Sequence, residues 1–465
     1  MAASKSMFYW GYVIVLSKFI ISFIDTGIAK SFGVLISTMV ERLDSDYATL
    51  GLMCSMPSAL THLLCPFVKF FLTENNHRVV AMSGAVLCGS CLIACGFLGN
   101  LISLGVCLGL AGIGLSMTIT PIYLSVKAHF QEKFVLANTV ALYGNTAGSV
   151  FLPILIERSL QAYGYYPAFL ILGGVTLNAT ACAATIRKEQ RYSKLDEGHK
   201  QSDDRKCFSE TESQKSKTML CRVSQTDDEE ENEDVTEQRR LIQVEKFRTD
   251  KQGMSPDPQS ITKGSFFQSC QRSCGLLNEP LFLFSTPILF IHSYTYYSWM
   301  LFLVPHTEHL GIQSSNAVFL STIGGVGGII GRTVFIILLY KRVNAFAVFI
   351  PVSCICAGSF LLDFISSGYP SRAALAFIQG FCFFIEDALY ASMSNDAIFD
   401  DNNCDTAIAL SMFWFGLGET IAGTFSGYLF DLTQSFTKVF MIIGFLHSIM
   451  AGYLAVVTFF IQRRR

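Results

Sequence analysis

The sequence predicts an all-α membrane protein with 12 transmembrane helices in two six-helix halves, and three observations carry that expectation. Hydrophobic residues make up 51% of the 465 positions and charged residues only 15%, with a mean hydropathy of +0.42. A soluble domain carries about 25% charged residues, so this composition suits lipid better than water. About half of the charges, 17 Lys+Arg and 19 Asp+Glu, fall within the 94 residues 187–280. What remains is two apolar blocks of nearly equal length, residues 1–186 and 281–465. These proportions argue against a soluble enzyme and a secreted disulfide scaffold, and a net charge of −2 offers no basic face to a nucleic acid. Most of the 15 cysteines sit in apolar runs (Cys54, Cys65, Cys88, Cys91, Cys95, Cys107, Cys182), where a thiol is a small hydrophobe. No metal-ligand spacing emerges, since Cys270 and Cys274 form a lone C-x3-C. No cofactor is expected.

Each span rests on one piece of arithmetic: a bilayer core about 30 Å thick needs roughly 20 apolar residues of helix. In the first block the runs are Phe8–Ser37, Tyr47–Phe67, Val79–Leu98, Ser103–Val126, Phe134–Ile156 and Tyr165–Ile186. In the second they are Leu281–Val304, Ala317–Tyr340, Asn344–Ile365, Ala373–Phe399, Ala407–Phe430 and Val439–Ile461. The first run follows Lys5 as a secretory signal would, but it is too long and lacks a small-residue cleavage pattern, so it is read as retained.

Basic residues set the orientation. Ten flank the ends on the N-terminal side (Lys5, Lys69, Arg78, Lys127, Lys133, Lys341, Arg342, Arg463 to Arg465) and four flank the opposite ends (Arg42, Arg158, Arg372, Lys438). By the positive-inside rule both termini and the central segment are expected to be cytoplasmic. The loop Asp400 to Asp405, with three acids and no base, departs from the pattern.

Three units follow: residues 1–186 as one bundle, 187–280 as a cytoplasmic linker and 281–465 as a second bundle. The linker has an acidic stretch, Asp227 to Asp234, and few large apolar residues, so disorder is expected. Its run Glu237-Gln238-Arg239-Arg240-Leu241-Ile242 fits an acidic di-leucine sorting signal. The expected location is the plasma membrane, with an endosomal or lysosomal membrane as the alternative. Two equal halves joined by a polar linker are the layout of the major facilitator fold, where substrate passes between the halves near mid-membrane.

Several short motifs then carry a resemblance. Trp10-Gly11-Tyr12-Val13-Ile14-Val15 opens the first span, and Ala29-Lys30-Ser31-Phe32-Gly33-Val34 follows. His129 to Asn138 leads into span five and continues to Gly144, Gly148 and Ser149. Phe169 to Gly174 lies in span six, and Gly427-Tyr428-Leu429-Phe430-Asp431 follows span eleven. Over nearly all of both halves the sequence resembles the monocarboxylate transporters. It departs from them at Ser6-Met7-Phe8, where an acidic-Gly pair is usual, at Glu132, where a base is usual, and at Thr139, where Gly is usual.

An ionisable side chain in hydrocarbon costs at least about 2.5–3.5 kcal/mol, so each one inside a span is a functional candidate. Here these are Lys18, Asp25, Lys30, Arg332, Glu386, Asp387 and Glu419. Arg332 and Asp387 lie about equally far into spans eight and ten, which run the same way, so they are expected to meet or to share a ligand. A guanidinium holds a carboxylate bidentately, and an acid beside it neutralises the empty site. Binding an anion then displaces or protonates that acid, which couples a proton to the anion. The resemblance places Gly331-Arg332 on the family's Gly-Arg, and Asp387 where members handling thyroid hormones and aromatic amino acids carry an acid. The acid that lactate-transporting members hold one turn before the arginine is here Gly328.

Lys30 is expected near the outer end of the path, attracting the anion. Lys18 and Asp25, seven apart on one face, are expected to neutralise each other. Glu386 is a second proton-coupling candidate beside Asp387. In span seven, His292 and Tyr296 can serve a substrate as proton carrier and aromatic wall, or can be packing. Asn138 and Asn145 share a face of span five and can bond substrate or a neighbouring helix. Gly324, Gly328 and Arg332 form a smooth stripe that suits either cavity wall or close helix packing.

The expected function is secondary active transport of small monocarboxylates or related organic anions, by alternating access with proton symport. A proton-independent carrier of aromatic amino acids or iodothyronine-like carboxylates is the alternative, and a non-transporting membrane sensor or scaffold is the rival of another class. An enzyme is not expected, because no nucleophile, base and metal set emerges. The expected partners are the anion, protons and lipid. Some relatives need a single-pass immunoglobulin-type ancillary protein, which the resemblance allows here. The only N-glycosylation sequon, Asn178-Ala179-Thr180, lies within span six.

Overall fold

The computed structural model describes residues 2–72, 76–130, 134–186, 279–341, 343–365, 368–389, 397–398 and 404–464. The linker expected to be disordered, its di-leucine run and Cys270/Cys274 lie outside the described residues, as do Asp400 to Asn403 of the acidic loop. The described helices belong to one compact unit.

The first half comprises α1 (Ala2–Leu43), α2 (Tyr47–Phe71), α3 (His77–Phe97), α4 (Leu101–Phe130), α5 (Phe134–Tyr163), α6 (Tyr165–Leu177) and α7 (Ala179–Ala183). The second comprises α8 (Pro280–His309), α9 (Ser314–Tyr340), α10 (Ala345–Leu361), α11 (Tyr369–Glu386), α12 (Cys404–Thr433) and α13 (Phe436–Arg464). α6 and α7 make one rod interrupted at Asn178, whose amide donates to the carbonyls of Gly174 and Val175. The described helices are therefore 12 rods, six to each half, in an all-α arrangement. Nine have the length and apolarity to cross a membrane, and α10 is a shorter apolar helix. α8 is not among them because Ser285, His292, Ser293, Thr295 and Ser298 interrupt its apolar sequence; all five are buried in the bundle and meet no lipid. The outer surface is apolar, with Ile102, Phe97, Phe364 and Phe445 each more than half exposed. That pattern suits hydrocarbon solvent.

Two spans depart from the sequence reading. α1 runs to Leu43 where Ser37 was the expected end, because hydropathy marks where a helix leaves lipid and not where its backbone stops bonding. α11 is interrupted after Glu386, with Asp387 as C-cap and its N–H bonded to the Phe383 carbonyl at 2.9 Å; residues 390–396 and 399 of the expected span lie outside the described residues. Backbone that leaves the helix at membrane depth is tolerated where it lines a cavity, and Asp387 does so.

The halves meet along three seams: α2 on α12, α5 on α9 and α1 on α8. The α2–α12 seam is close because both helices put glycine there. A Cβ on Gly51 would lie 2.2 Å from the Gly423 carbonyl oxygen, and one on Gly423 would lie 2.1 Å from that of Gly51. At the start of α2, Asp46 caps the helix: its carboxylate accepts from Thr49 N and Thr49 Oγ1, each at 2.8 Å.

Candidate substrate site

A cavity of about 150 Å3 lies between the halves. Its first-half wall includes Lys18, Ser22 and Asp25 of α1, His62, Cys65 and Lys69 of α2, Tyr123 and Lys127 of α4, and Asn145 of α5. Its second-half wall includes Asp387, Ile408, Met412 and Phe415. A smaller cavity of about 60 Å3 shares Asp25, His62, Asn145, Asp387 and Phe415 with it, and adds Tyr296, Tyr297, Met300 and Glu419.

The cavity extends toward the helix ends that carry Lys69 and Lys127. At the opposite end the halves are joined. The Asp431 carboxylate at the end of α12 accepts from the backbone N–H groups of Tyr47 (3.2 Å) and Ala48 (2.8 Å), so one half supplies the cap for a helix of the other. Ser37 Oγ donates to Glu308 at 2.9 Å, and Tyr297 Oη donates to the Cys54 carbonyl at 3.0 Å.

Arg332 and Asp387 meet. Arg332 Nη2 lies 2.6 Å from Asp387 Oδ2, and the guanidinium carbon lies 5.5 Å from the centroid of the Phe384 ring. Asp387 lines both cavities; Arg332 lines neither, so the carboxylate stands between the cation and the open space. Gly324 and Gly328 serve packing: a Cβ would lie 2.9 Å from the Trp299 ring at the first and 2.2 Å from the Phe384 ring at the second.

The other candidates separate. Asn145 lines both cavities and Tyr296 the smaller one. Asn138 accepts a hydrogen bond from Lys18 Nζ. Lys18 therefore does not pair with Asp25, contrary to the expectation. A seven-residue offset is two turns, about 10 Å along the axis, and Asp25 Oδ1 has no hydrogen-bond partner. Lys30 also departs from its expected place: it is 2% exposed, lines neither cavity, and packs its ammonium 3.8 Å from the Trp299 ring. The helix continues well past it, so it is interior.

His292 and Glu386 come together away from both cavities. His292 Nδ1 lies 3.3 Å from one Glu386 oxygen, His447 Nε2 lies 3.2 Å from the other, and Ser353 donates to that second oxygen at 2.5 Å. Cys356, Glu386 and His447 form the one group among the described residues with the donor set of a metal site, their atoms within 4.8 Å of one another. Ser353 and His447 both bond the same Glu386 oxygen, Oε1, while Oε2 has only His292 beside it.

Sequence reasoning missed His62. Its Nδ1 lies 3.0 Å from Glu419 Oε2 and 3.0 Å from the Ser58 carbonyl, which can only accept, so Nδ1 carries the hydrogen. It missed a second network too: Asp363 pairs with Arg372 and accepts from His306 at 2.9 Å, so Arg372 is a buried partner and not a loop charge.

Twelve helical rods in two halves around a cavity lined by both charged and apolar side chains define a membrane transporter. Residues 19–398 match the model of the Major Facilitator Superfamily, and the chain belongs to that superfamily; it is a transporter and not an enzyme. Human and mouse proteins named monocarboxylate transporter 12 are each 22% identical to it over 96% of this chain, covering 80% and 86% of their own lengths. Mouse monocarboxylate transporter 11 is 29% identical over 38% of this chain, and that match spans only 40% of the relative's length. A solved bacterial homologue of the human lysosomal transporter Spinster, inward-facing and unoccupied, is similar with a TM-score of 0.65 and 12% identity over 98% of both chains. The major facilitator fold expected from the two equal blocks is thereby borne out.

Proposed function

We propose that this transporter moves small organic anions, chiefly monocarboxylates, by alternating access with a proton carried alongside. The observation that supports it most is the position of Asp387, on the cavity wall and 2.6 Å from Arg332. An incoming carboxylate offers the guanidinium the same bidentate partner. Two carboxylates competing for one cation cannot both stay ionised at close range without cost, so the displaced aspartate takes up a proton. Transport of the anion then carries that proton. The names of the relatives that align over 96% of the chain agree with this substrate class. The plasma membrane, with both termini cytoplasmic, is part of the same proposal.

A second reading is favoured by Gly328, which leaves the acid-before-arginine position empty, and by the apolar wall of Ile119, Leu124, Met412 and Phe415. It is a proton-independent carrier of aromatic carboxylates such as aromatic amino acids or iodothyronines. Uptake of labelled lactate, pyruvate, tyrosine and creatine into proteoliposomes, with and without an inward proton gradient, separates the two. Acid-stimulated lactate or pyruvate uptake that is lost in Arg332→Ala supports symport; tyrosine uptake indifferent to the gradient supports the second reading. Uptake of none of the four by the wild type, with the protein folded and inserted, would sink both.

A further inference from the structure

Arg332 is screened from the cavity by Asp387, but a second buried cation faces it directly. Lys18 lines the larger cavity and is 4% exposed. Among the described residues no acid pairs with it. Its Nζ donates to Asn138 Oδ1 and lies 4.3 Å from the centroid of the Tyr123 ring. One neutral acceptor and one ring face leave spare donor capacity on an ammonium that has three N–H groups. Buried charges are ordinarily paired, so an ammonium placed here is matched to an anionic partner.

The space beside it has a definite character. Ile119, Leu124, Met412 and Phe415 supply apolar wall from both halves. A cavity of about 150 Å3 has room for one benzene ring, and that is the volume found here beside Lys18.

We infer that Lys18, held in place by Asn138 and the Tyr123 ring, forms the carboxylate-binding end of a subsite in the first half, for an organic anion whose apolar body is about one ring in size. The subsite rests on the proposal that the chain transports organic anions, and deepens it. The anion docks on Lys18 while Asp387 still holds Arg332, and reaches the guanidinium only when that aspartate moves. Each half thus contributes one cation, and the ring-sized body lies between them.

The test uses the purified full-length protein, with benzoate as probe and benzamide, its neutral analogue, as control. Ligand binding to the folded state raises the melting temperature as concentration exceeds Kd. Benzoate is expected to stabilise the wild type and benzamide not. Loss of a charge-assisted hydrogen bond predicts that Lys18→Gln weakens benzoate binding by roughly 10- to 100-fold, while Lys18→Arg stays within several-fold of wild type. The unliganded melting temperature of each variant establishes that it is folded. Benzoate binding kept in Lys18→Gln but lost in Arg332→Gln overturns the subsite and leaves the transport proposal standing. A wild type that ignores benzoate yet takes up lactate likewise overturns the ring-sized subsite alone.

Discussion

His62 on α2 and Glu419 on α12 form the one ion pair among the described residues that bridges the two halves, with Nδ1 3.0 Å from Oε2. Glu419 is buried and His62 partly so, and both border the smaller cavity. The pair sits on the seam where Gly51 and Gly423 bring the helices together, so the proposed alternating access requires it to break or move.

The first prediction follows from that position. Removing either partner costs a hydrogen bond to a charged group, about 1.5–3 kcal/mol, and partial exposure of His62 puts the effect at the lower end. A double-mutant cycle of His62→Ala and Glu419→Gln, read from melting temperatures, should give a coupling energy of about 1 kcal/mol. A coupling near zero would remove the pair from the account.

The second concerns Asp431. Its carboxylate is the acceptor for two N–H groups at the start of α2, and losing such a cap costs about 1 kcal/mol. Asp431→Ala should therefore loosen the closed end. Cys54, buried on α2 nearby, is expected to react with maleimide several-fold faster, located by mass spectrometry. An unchanged rate would mean the cap does not hold that end shut.

The third is a pH dependence. Slight burial opposes ionisation of Asp46, but hydrogen bonds from Thr49 outweigh it and hold the carboxyl below its ordinary value. A carboxyl depressed in the folded state stabilises fully above the unfolded pKa, about 3.9, and loses that contribution as pH falls through the lower folded value. Melting curves between pH 6 and 3, taken as approximate bounds around that pKa, should fall more steeply for wild type than for Asp46→Asn. Parallel curves would refute it.

How much of this was legible in the sequence depends on the range of the interaction. Helices of a membrane bundle are written locally, as apolar runs of bilayer length, and the 12 rods follow from them. Arg332 and Asp387 were legible because two parallel spans can be compared by counting residues for depth. His62 with Glu419 is 357 residues apart and Lys18 with Asn138 is 120 apart. His62 and Glu419 join antiparallel spans, and Lys18 and Asn138 join parallel ones; in both, which faces meet is set by the rotation of each helix about its axis, which packing fixes and no count of residues supplies. The end of α11 at Glu386 was hidden for another reason: the residues that follow at once, Ala388 to Ala391, carry no turn or breaker signal, so the run itself does not mark a helix end there.

The fourth prediction tests the packing around Arg332. A side chain at Gly328 would place its Cβ 2.2 Å from the Phe384 ring, which itself lies beside the guanidinium. Gly328→Asp should therefore cost about 1–3 kcal/mol through overpacking, with part of the melting temperature restored by adding Phe384→Ala. A Gly328→Asp protein as stable as wild type would show that the ring yields easily and that an acid is accommodated there.

The most direct measurement is proton-gradient-driven uptake by Asp387→Asn, using whichever labelled acid the wild type accumulates best, with exchange of that acid as the control for a competent site. If the aspartate carries the proton displaced by the anion, the variant exchanges substrate across the membrane but gains nothing from an inward gradient. Acid-stimulated uptake that survives intact in Asp387→Asn would contradict it.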